Sequence, residues 1–167
     1  LLMLLCMCVG LGACRSGVET GQADHSVVSS LDLNRFMGTW YEIARFDHRF
    51  EKEMHHTMAF YSLDADGRLK VVNTGIRDGK EKVAERKGKT TDTPAHLRVS
   101  FFGPFYADYR VLLLDEEYSY ALIGSKSSRY LWILARAPQL TETALERLLD
   151  EAQRRGYNVD ELIWVEH

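Results

Sequence analysis

Cysteine, the residue type with the widest chemical use, is confined to the first fourteen positions, as Cys6, Cys8 and Cys14. From Arg15 onward there is no thiol, which excludes a disulfide, a thiolate zinc site and a cysteine nucleophile in the rest of the chain. His55 and His56 are adjacent, and neighbouring residues of a strand point to opposite faces, so this pair does not predict a metal site. No hydrolase elbow, zinc-protease, phosphate-loop or dinucleotide motif is present. We therefore predict no catalytic residue, metal or cofactor.

The start of the chain has the character of a targeting segment. Residues 1–13 are uncharged, too few for a membrane-spanning helix of about 20 residues but suited to the apolar part of a secretory signal. Leu11-Gly12-Ala13-Cys14 resembles the bacterial lipoprotein box, which implies a signal peptide over 1–13, acylation of Cys14 and a lipidated tether over 14–30. Arg15, rather than an acidic residue, implies sorting to the outer membrane, with the protein lipid-anchored on its periplasmic face. The alternative is a buried apolar helix with an incidental cysteine.

Length and composition indicate one globular domain. The chain has 167 residues, of which 46% are hydrophobic and 27% charged, enough for a packed core. The formal net charge of -3 does not favour nucleic acid as a partner, since nucleic-acid binding requires a basic surface. Residues 14–30 lack any hydrophobic periodicity, which predicts a tether. His25 lies in this segment and is expected to be solvated.

After the tether the pattern is a series of short strands. Aromatic and β-branched segments alternate with turn signals such as Asp64-Ala65-Asp66-Gly67 and Asp78-Gly79. The eight predicted strands cover residues 39–47, 57–63, 68–75, 81–91, 96–102, 107–114, 118–124 and 129–135. Eight strands joined by short links predict an antiparallel up-and-down β-barrel, which removes exposed edges and has room for one small ligand.

One helix is expected to follow the strands. Thr141 can cap it, Leu145, Leu148, Leu149 and Ala152 form one apolar stripe, and Gly156 ends it. A single stripe predicts that the helix packs against the outside of the barrel. A last short strand is then predicted over residues 162–165. The expected fold class is all-β with one packed C-terminal α-helix.

Three motifs, in order, resemble the signatures of the lipocalin family. Gly38-Thr39-Trp40 follows a short helical turn over residues 33–36, Asp115 lies in a degenerate form of the second signature, and Trp132-Ile133-Leu134-Ala135-Arg136 is similar to the third. The resemblance covers residues 31–167 and is greatest to the subgroup that contains bacterial outer-membrane lipoproteins and apolipoprotein D. It implies a ligand-binding barrel whose structural signature is Gly38, Trp40, Asp115 and Arg136.

Three of the signature residues have structural roles that follow from their side-chain chemistry. Gly38 permits a tight turn into the barrel, and Trp40, the first inward residue of its strand, would close the bottom. Arg136 can place its guanidinium on the Trp40 indole while donating to nearby carbonyls. We therefore assign these residues to the fold and not to ligand binding.

The remaining inward residues are the candidate binding site. Trp132 and Leu134 share a face with Arg136, which places Trp132 in the cavity and Leu134 below it. The resemblance implies that Tyr61, Asn73 and Tyr109 also face inward and that Arg77 lies toward the mouth. Such a lining favours an apolar chain with a polar or anionic head near the opening, so we expect a fatty acid or lysophospholipid ligand, stored or carried in the cell envelope. A homodimer is left open.

Two other functions stay open at this point. An enzyme on the same fold would need Glu42, if it faces inward, as its acid or base, because the cavity has no cysteine. Alternatively the inward aromatic residues fill the barrel, and the protein has a structural or interaction role. In that case the aromatic residues of 101–106 could contact a membrane or a partner.

Overall fold

The computed structural model describes residues 23–48, 51–102 and 104–167. The predicted signal peptide over 1–13, the predicted lipidation site Cys14 and the first part of the predicted tether lie outside these residues. Among the described residues, no helix combines the length and the apolar character needed to cross a membrane.

The described part of the chain forms nine strands and two α-helices. A one-turn helix, α1, covers Leu33–Phe36, and the longer helix α2 covers Glu142–Arg154. The strands are β1 (Gly38–Phe46), β2 (His55–Leu63), β3 (Leu69–Arg77), β4 (Lys80–Thr90), β5 (His96–Phe102), β6 (Phe105–Leu114), β7 (Tyr120–Gly124), β8 (Leu131–Ala135) and β9 (Leu162–Trp164). A 3-10 turn over Val159–Glu161 precedes β9.

Strands β1 to β8 form a closed antiparallel barrel. Each strand pairs with the next in sequence, and β1 pairs with both β8 and β2. The predicted fold class is thus confirmed, including the C-terminal helix. β7 begins two residues later than expected because Tyr118 has a φ of 58° and lies in the preceding turn. β6 begins two residues earlier, at Phe105, so the aromatic residues of 101–106 belong mainly to a tight hairpin.

The last strand completes the barrel wall. β1 pairs with β2 only over Gly38–Tyr41, and above this level β9 pairs with Ala44, Arg45 and Phe46. The backbone N–H of His56 in β2 donates to the Glu166 carbonyl at 2.7 Å. The C-terminal segment therefore joins β1 to β2 where the two strands separate.

Helix α2 packs on the outside of the barrel, as its single apolar stripe predicted. The Thr141 hydroxyl accepts from the Ala144 N–H at 3.3 Å, and Gly156 ends the helix with a φ of +93°. Ala144, Leu148 and Ala152 are buried, and Leu148 and Ala152 belong to a core that includes Leu122 and Leu131. A second core fills the lower barrel around Trp40.

The closed end of the barrel is held by Arg136. Its guanidinium carbon lies 3.9 Å from the centre of the Trp40 ring, while Nη1 and Nη2 donate to the carbonyls of Thr39 and Arg35, each at 2.8 Å. Gly38 has a φ of +97°, and a Cβ at this position would lie 3.3 Å from Arg136 Nη1. One side chain therefore ties together the start of β1, helix α1 and the end of β8.

We expect the substitution Arg136→Ala to lower the free energy of unfolding by about 2–4 kcal/mol, because it removes charged donors from several backbone carbonyls at once. Arg136→Lys should lose part of this stability, since an ammonium cannot reproduce the planar fork. Urea unfolding followed by circular dichroism measures both, with the exposed Arg129→Ala as control. Unfolding of Arg136→Ala at the wild-type urea concentration would contradict the assignment.

The described part of the predicted tether, residues 23–30, packs against the barrel. The N–H of Asp24 donates to the Arg155 carbonyl at 2.7 Å, and that of Val28 donates to the Val111 carbonyl at 3.0 Å. Arg155 is buried and donates to the carbonyls of Ser26 and Leu112. His25, expected to be solvated, instead has its Nδ1 2.9 Å from the Tyr157 hydroxyl. We name residues 23–30 the N-terminal strap.

Candidate functional site

A cavity of about 480 Å³ occupies the upper part of the barrel. The upper end, or mouth, is where the β1–β2, β3–β4, β5–β6 and β7–β8 connections lie, because each odd strand runs upward from the closed end. Residues on β2, β3, β4, β6 and β8 line the cavity, together with residues of the β1–β2 and β7–β8 loops. The cavity therefore lies within the barrel and not on its outer surface, and its volume is in the range of small-molecule sites.

The cavity combines apolar groups with a cationic wall. Met54, Ala84, Ala107, Tyr130 and Trp132 contribute carbon surface. On the wall formed by β3 and β4, Arg77, Lys82 and Arg86 also line it. Lys82, Ala84 and Arg86 alternate along β4 with outward residues, as the period of two in a strand requires.

The aromatic part of the lining is ordered by mutual contacts. The rings of Tyr130 and Trp132 are stacked, with centroids 5.9 Å apart and an interplanar angle of 11°. His48 meets the Trp132 ring edge-on at 5.3 Å. These three residues come from the β1–β2 loop, the β7–β8 loop and β8, so the contacts fix both loops beside the cavity.

The structure divides the six predicted ligand-binding residues between two levels. Asn73, Arg77 and Trp132 line the cavity. The other three line only a pocket of about 30 Å³ beneath it, and these are Tyr61, Tyr109 and Leu134. Asn73 and Trp132 border both spaces.

The two tyrosines form part of the lower core. Their hydroxyls lie 2.9 Å apart, and both side chains are buried. Burial raises the pKa of the Tyr61 phenol, although the hydrogen bond with Tyr109 acts in the opposite direction. Both phenols therefore stay neutral and serve as a hydrogen-bonded pair above Trp40.

A buried cluster of charged groups forms the floor of the cavity. Arg45 Nη1 donates to Glu42 Oε1 at 2.7 Å, and Arg45 Nη2 donates to the carbonyls of Glu51 and Met54 at 2.6 and 3.0 Å. The Glu51 carboxylate lies 3.0 Å from His48 Nε2 and accepts from Trp132 Nε1 at 3.3 Å. The cluster thus links β1, the β1–β2 loop and β8.

The pKa values of the two carboxyl groups of the cluster are shifted in opposite directions. Burial, reinforced by the charge of Glu51, raises the pKa of Glu42 to about 8 although Arg45 opposes the shift. Burial alone would also raise the pKa of Glu51, but the hydrogen bond and charge of His48, with Trp132 and Arg45, lower it. At neutral pH the floor therefore holds a mainly protonated Glu42 and an ionised Glu51.

Arg45, His48 and Glu51 were not predicted from the sequence to take part in the site. Strict alternation places Glu42 and Arg45 on opposite faces, but β1 has a bulge between Glu42 and Ala44. The extra residue turns both side chains inward, and they pair with Leu134 and Trp132 across the ladder. The spacing of an acidic and a basic residue by three in an otherwise apolar strand is the signal that could have indicated such a bulge.

The adjacent residues His55 and His56 do not follow the alternation expected of a strand. His56 has a φ of 51°, and its ring lies 5.3 Å from that of His55, so the two side chains do not point to opposite faces. Within the described ranges, no three His, Cys, Asp or Glu side chains are grouped so that they could hold a metal ion.

Comparison with known proteins places this geometry in a family. The model of the lipocalin-like domain matches residues 31–167. The chain is a lipocalin. It is 46% identical over 144 residues to the outer membrane lipoprotein Blc of Citrobacter freundii, an alignment that covers 84% of this chain and 81% of that one. It is 37% identical over 172 residues to apolipoprotein D of Cavia porcellus, covering 89% and 87%.

The fold of this lipocalin is shared with more distant structures. Insecticyanin from the tobacco hornworm Manduca sexta superimposes with a TM-score of 0.72 at 20% identity, over 86% of this chain and 85% of that one. At this identity the likeness shows the barrel alone. Lipocalins are generally binding and transport proteins, which agrees with a cavity that opens at one end of the barrel.

Proposed function

We propose that this lipocalin binds a single-chain amphiphile, a fatty acid or lysophospholipid, and stores or carries it in the bacterial cell envelope. The observation that supports this proposal is the cavity of about 480 Å³, with apolar and aromatic groups beside a wall of three cations. An acyl chain would bury its methylenes against Met54, Tyr130 and Trp132, each methylene contributing about 0.8 kcal/mol. Its anionic head would lie at Arg77, Lys82 and Arg86.

The proposal includes an anchor in the outer membrane through acylated Cys14. The relatives from Citrobacter freundii and Escherichia coli are named outer membrane lipoproteins, and the Leu11-Gly12-Ala13-Cys14 sequence of this chain suits lipidation. An anchored carrier meets its ligand at high local concentration, because both are confined near one membrane.

The two alternative functions have less support. A filled barrel is difficult to reconcile with the space above Tyr61 and Tyr109. Glu42 does face inward, but its carboxyl is buried beneath the cavity and accepts a hydrogen bond from Arg45. We therefore propose reversible binding without a covalent step.

Calorimetric titration of delipidated protein lacking residues 1–14 tests the proposal. We expect saturable binding of a lysophospholipid and of a fatty acid of equal chain length, with dissociation constants of about micromolar or lower. Trp132→Ala should weaken both, while Trp164→Phe, at an exposed tryptophan outside the cavity, should not. Absence of saturable heat with either lipid would overturn the proposed function.

The cationic wall predicts a preference for anionic heads. The double substitution Lys82→Gln, Arg86→Gln should weaken binding of a fatty acid about tenfold, because two charge-assisted contacts are lost. Binding of a monoacylglycerol with the same chain, which has no charge, should change by less than about twofold. Lys87→Gln, at the exposed neighbour on the outer face of β4, is the matched control. Equal losses for both lipids would contradict the assignment of the head group to this wall.

A further inference from the structure

We propose that the mouth of the barrel faces the membrane and that its rim lies on an anionic lipid surface. This inference rests on the proposed anchor at Cys14 and adds the orientation of the barrel to it. It follows from three independent features of the described residues: where the N-terminal strap begins, how charge is distributed along the barrel axis, and where apolar side chains are exposed.

The strap begins beside the mouth. Phe46 and Gly124 are the mouth-side ends of β1 and β7. Tyr157 lies at this level, with its ring centroid 6.1 Å from that of Phe46, and a Cβ at Gly124 would lie 2.8 Å from its hydroxyl. His25 in turn contacts Tyr157, and Ala23 is buried next to Gly156.

From this point the strap runs toward the closed end. Val28 hydrogen-bonds to Val111 within β6, and the Asp32 N–H donates to the Tyr118 hydroxyl at 2.9 Å, in the connection at the closed end. The polypeptide therefore joins the barrel wall beside the mouth-side ends of β1 and β7 and crosses β6 at Arg110 and Val111. Only its later residues reach the bottom.

The anchor lies a short distance from this entry point. Nine residues lead from Ala23 back to Cys14, and nine residues span at most about 32 Å. A membrane at the mouth is within this reach without any reversal of direction. A membrane at the closed end would require those residues to run back alongside the strap.

Charge along the barrel axis favours the same orientation. The closed-end connections, residues 64–68, 91–95 and 115–119, contain six acidic residues and one basic residue. At the mouth side, residues 77–83 of the β3–β4 hairpin contain three basic and two acidic residues, and the β7–β8 loop, residues 125–130, contains two basic and no acidic ones. The β1–β2 loop, residues 47–54, has three acidic and two basic residues. An anionic surface therefore attracts the mouth and repels the closed end.

Two apolar side chains complete the rim. Phe105, the first residue of β6, is 75% exposed, and Val83, on the outer face of β4, is 61% exposed. Both lie near the mouth-side ends of their strands, and Val83 follows the basic Lys82 of the β3–β4 hairpin. Apolar groups flanked by cations are the combination that binds the interface of an anionic bilayer. A lipid could then pass between the bilayer and the cavity without crossing water.

The test uses the full-length lipidated protein in vesicles of phosphatidylethanolamine and phosphatidylglycerol. A cysteine introduced by Phe105→Cys at the mouth, or by Asp66→Cys at the closed end, carries a polarity-sensitive fluorophore, and nitroxide lipids in the bilayer quench it. We expect quenching to be at least about threefold stronger at position 105 than at position 66, by reason of the shorter distance to the bilayer. Equal or reversed quenching would overturn the proposed orientation.

Two further measurements separate the causes of failure. Protein that does not float with the vesicles would overturn the anchor itself, and with it this inference, whereas protein that floats but shows no difference in quenching overturns the orientation alone. Lys80→Glu, at the rim, should reduce quenching at position 105 by about half, since it reverses one of the attracting charges. Arg68→Glu, the same change at the closed end, should not reduce it. Equal effects of the two substitutions would show that the rim does not contact the lipid.

Discussion

Replacing Ala84 by tryptophan is expected to weaken the binding of a single-chain lipid roughly a hundredfold while the barrel stays folded. Ala84 lies on β4 opposite Asn73, and both residues line the cavity. An indole at this position would occupy the space of about four ligand methylenes, which corresponds to a loss of about 3 kcal/mol in binding free energy. Because the side chain enters empty space, it does not overpack the core.

The neighbouring Val83→Trp provides a matched control. This substitution adds the same indole one residue away, but on the outer face of the strand, where the native Val83 side chain is 61% exposed. Its lipid affinity should stay within about twofold of the wild type. Calorimetry with one fatty acid compares the three proteins, and urea unfolding checks that each is folded. Wild-type affinity in Ala84→Trp would show that the ligand does not occupy this cavity.

Much of the fold could be predicted from the sequence because its local signals agree with one another. Turn residues such as Asp78-Gly79 separate the strands, and both Asp78 and Gly79 adopt the positive φ that such a turn requires. The predicted helix has the expected cap at Thr141 and the expected end at Gly156. Each of these signals acts within a few residues, so no knowledge of the tertiary structure was needed.

The site was harder to predict, since alternation along a strand gives the face of a residue but not its depth. Tyr61 and Asn73 both face inward, yet only Asn73 lines the cavity, and Tyr61 lies beneath it. Depth depends on the register between strands, which involves residues far apart in the chain. The sequence also has no marker for the packing of the N-terminal strap, where His25 meets Tyr157 across 132 positions.

The sequence identifies Glu42 as the candidate acid or base of the barrel interior. It does not identify the groups that contact Glu42, because the bulge in β1 changes the face of Arg45. The bulge arises from the pairing of β1 with β8, and its one trace in the sequence of β1 is the spacing of Glu42 and Arg45 by three residues. Its consequence is a carboxyl group held in a buried site with a raised pKa. This consequence is measurable through the pH dependence of stability.

Glu42→Gln is expected to remove a loss of stability that the wild-type protein shows between pH 5 and pH 8. The pKa of Glu42 is raised to about 8 by burial, so the folded state binds the proton more tightly than the unfolded state, whose pKa is about 4.3. The stabilisation by this proton is fully present below the unfolded pKa and is lost as pH rises through about 8. The loss amounts to at most about 5 kcal/mol, and a glutamine, which is always neutral, should not show it.

Urea unfolding at several pH values, with wild type and Glu42→Gln compared at each, isolates this effect from the other titrating groups. Burial lowers the pKa of His25, which makes stability fall as pH decreases below about 6.5, but this contribution is common to both proteins and cancels. The contribution of Glu51, whose pKa is lowered, is present above the unfolded pKa and lost only at more acidic pH. Glu81→Gln, at an exposed carboxyl group of β4, should follow the wild type throughout. A difference between wild type and Glu42→Gln that stays constant from pH 5 to pH 8 would mean that Glu42 is ionised over this whole range, and that the cavity floor carries two negative charges instead of one.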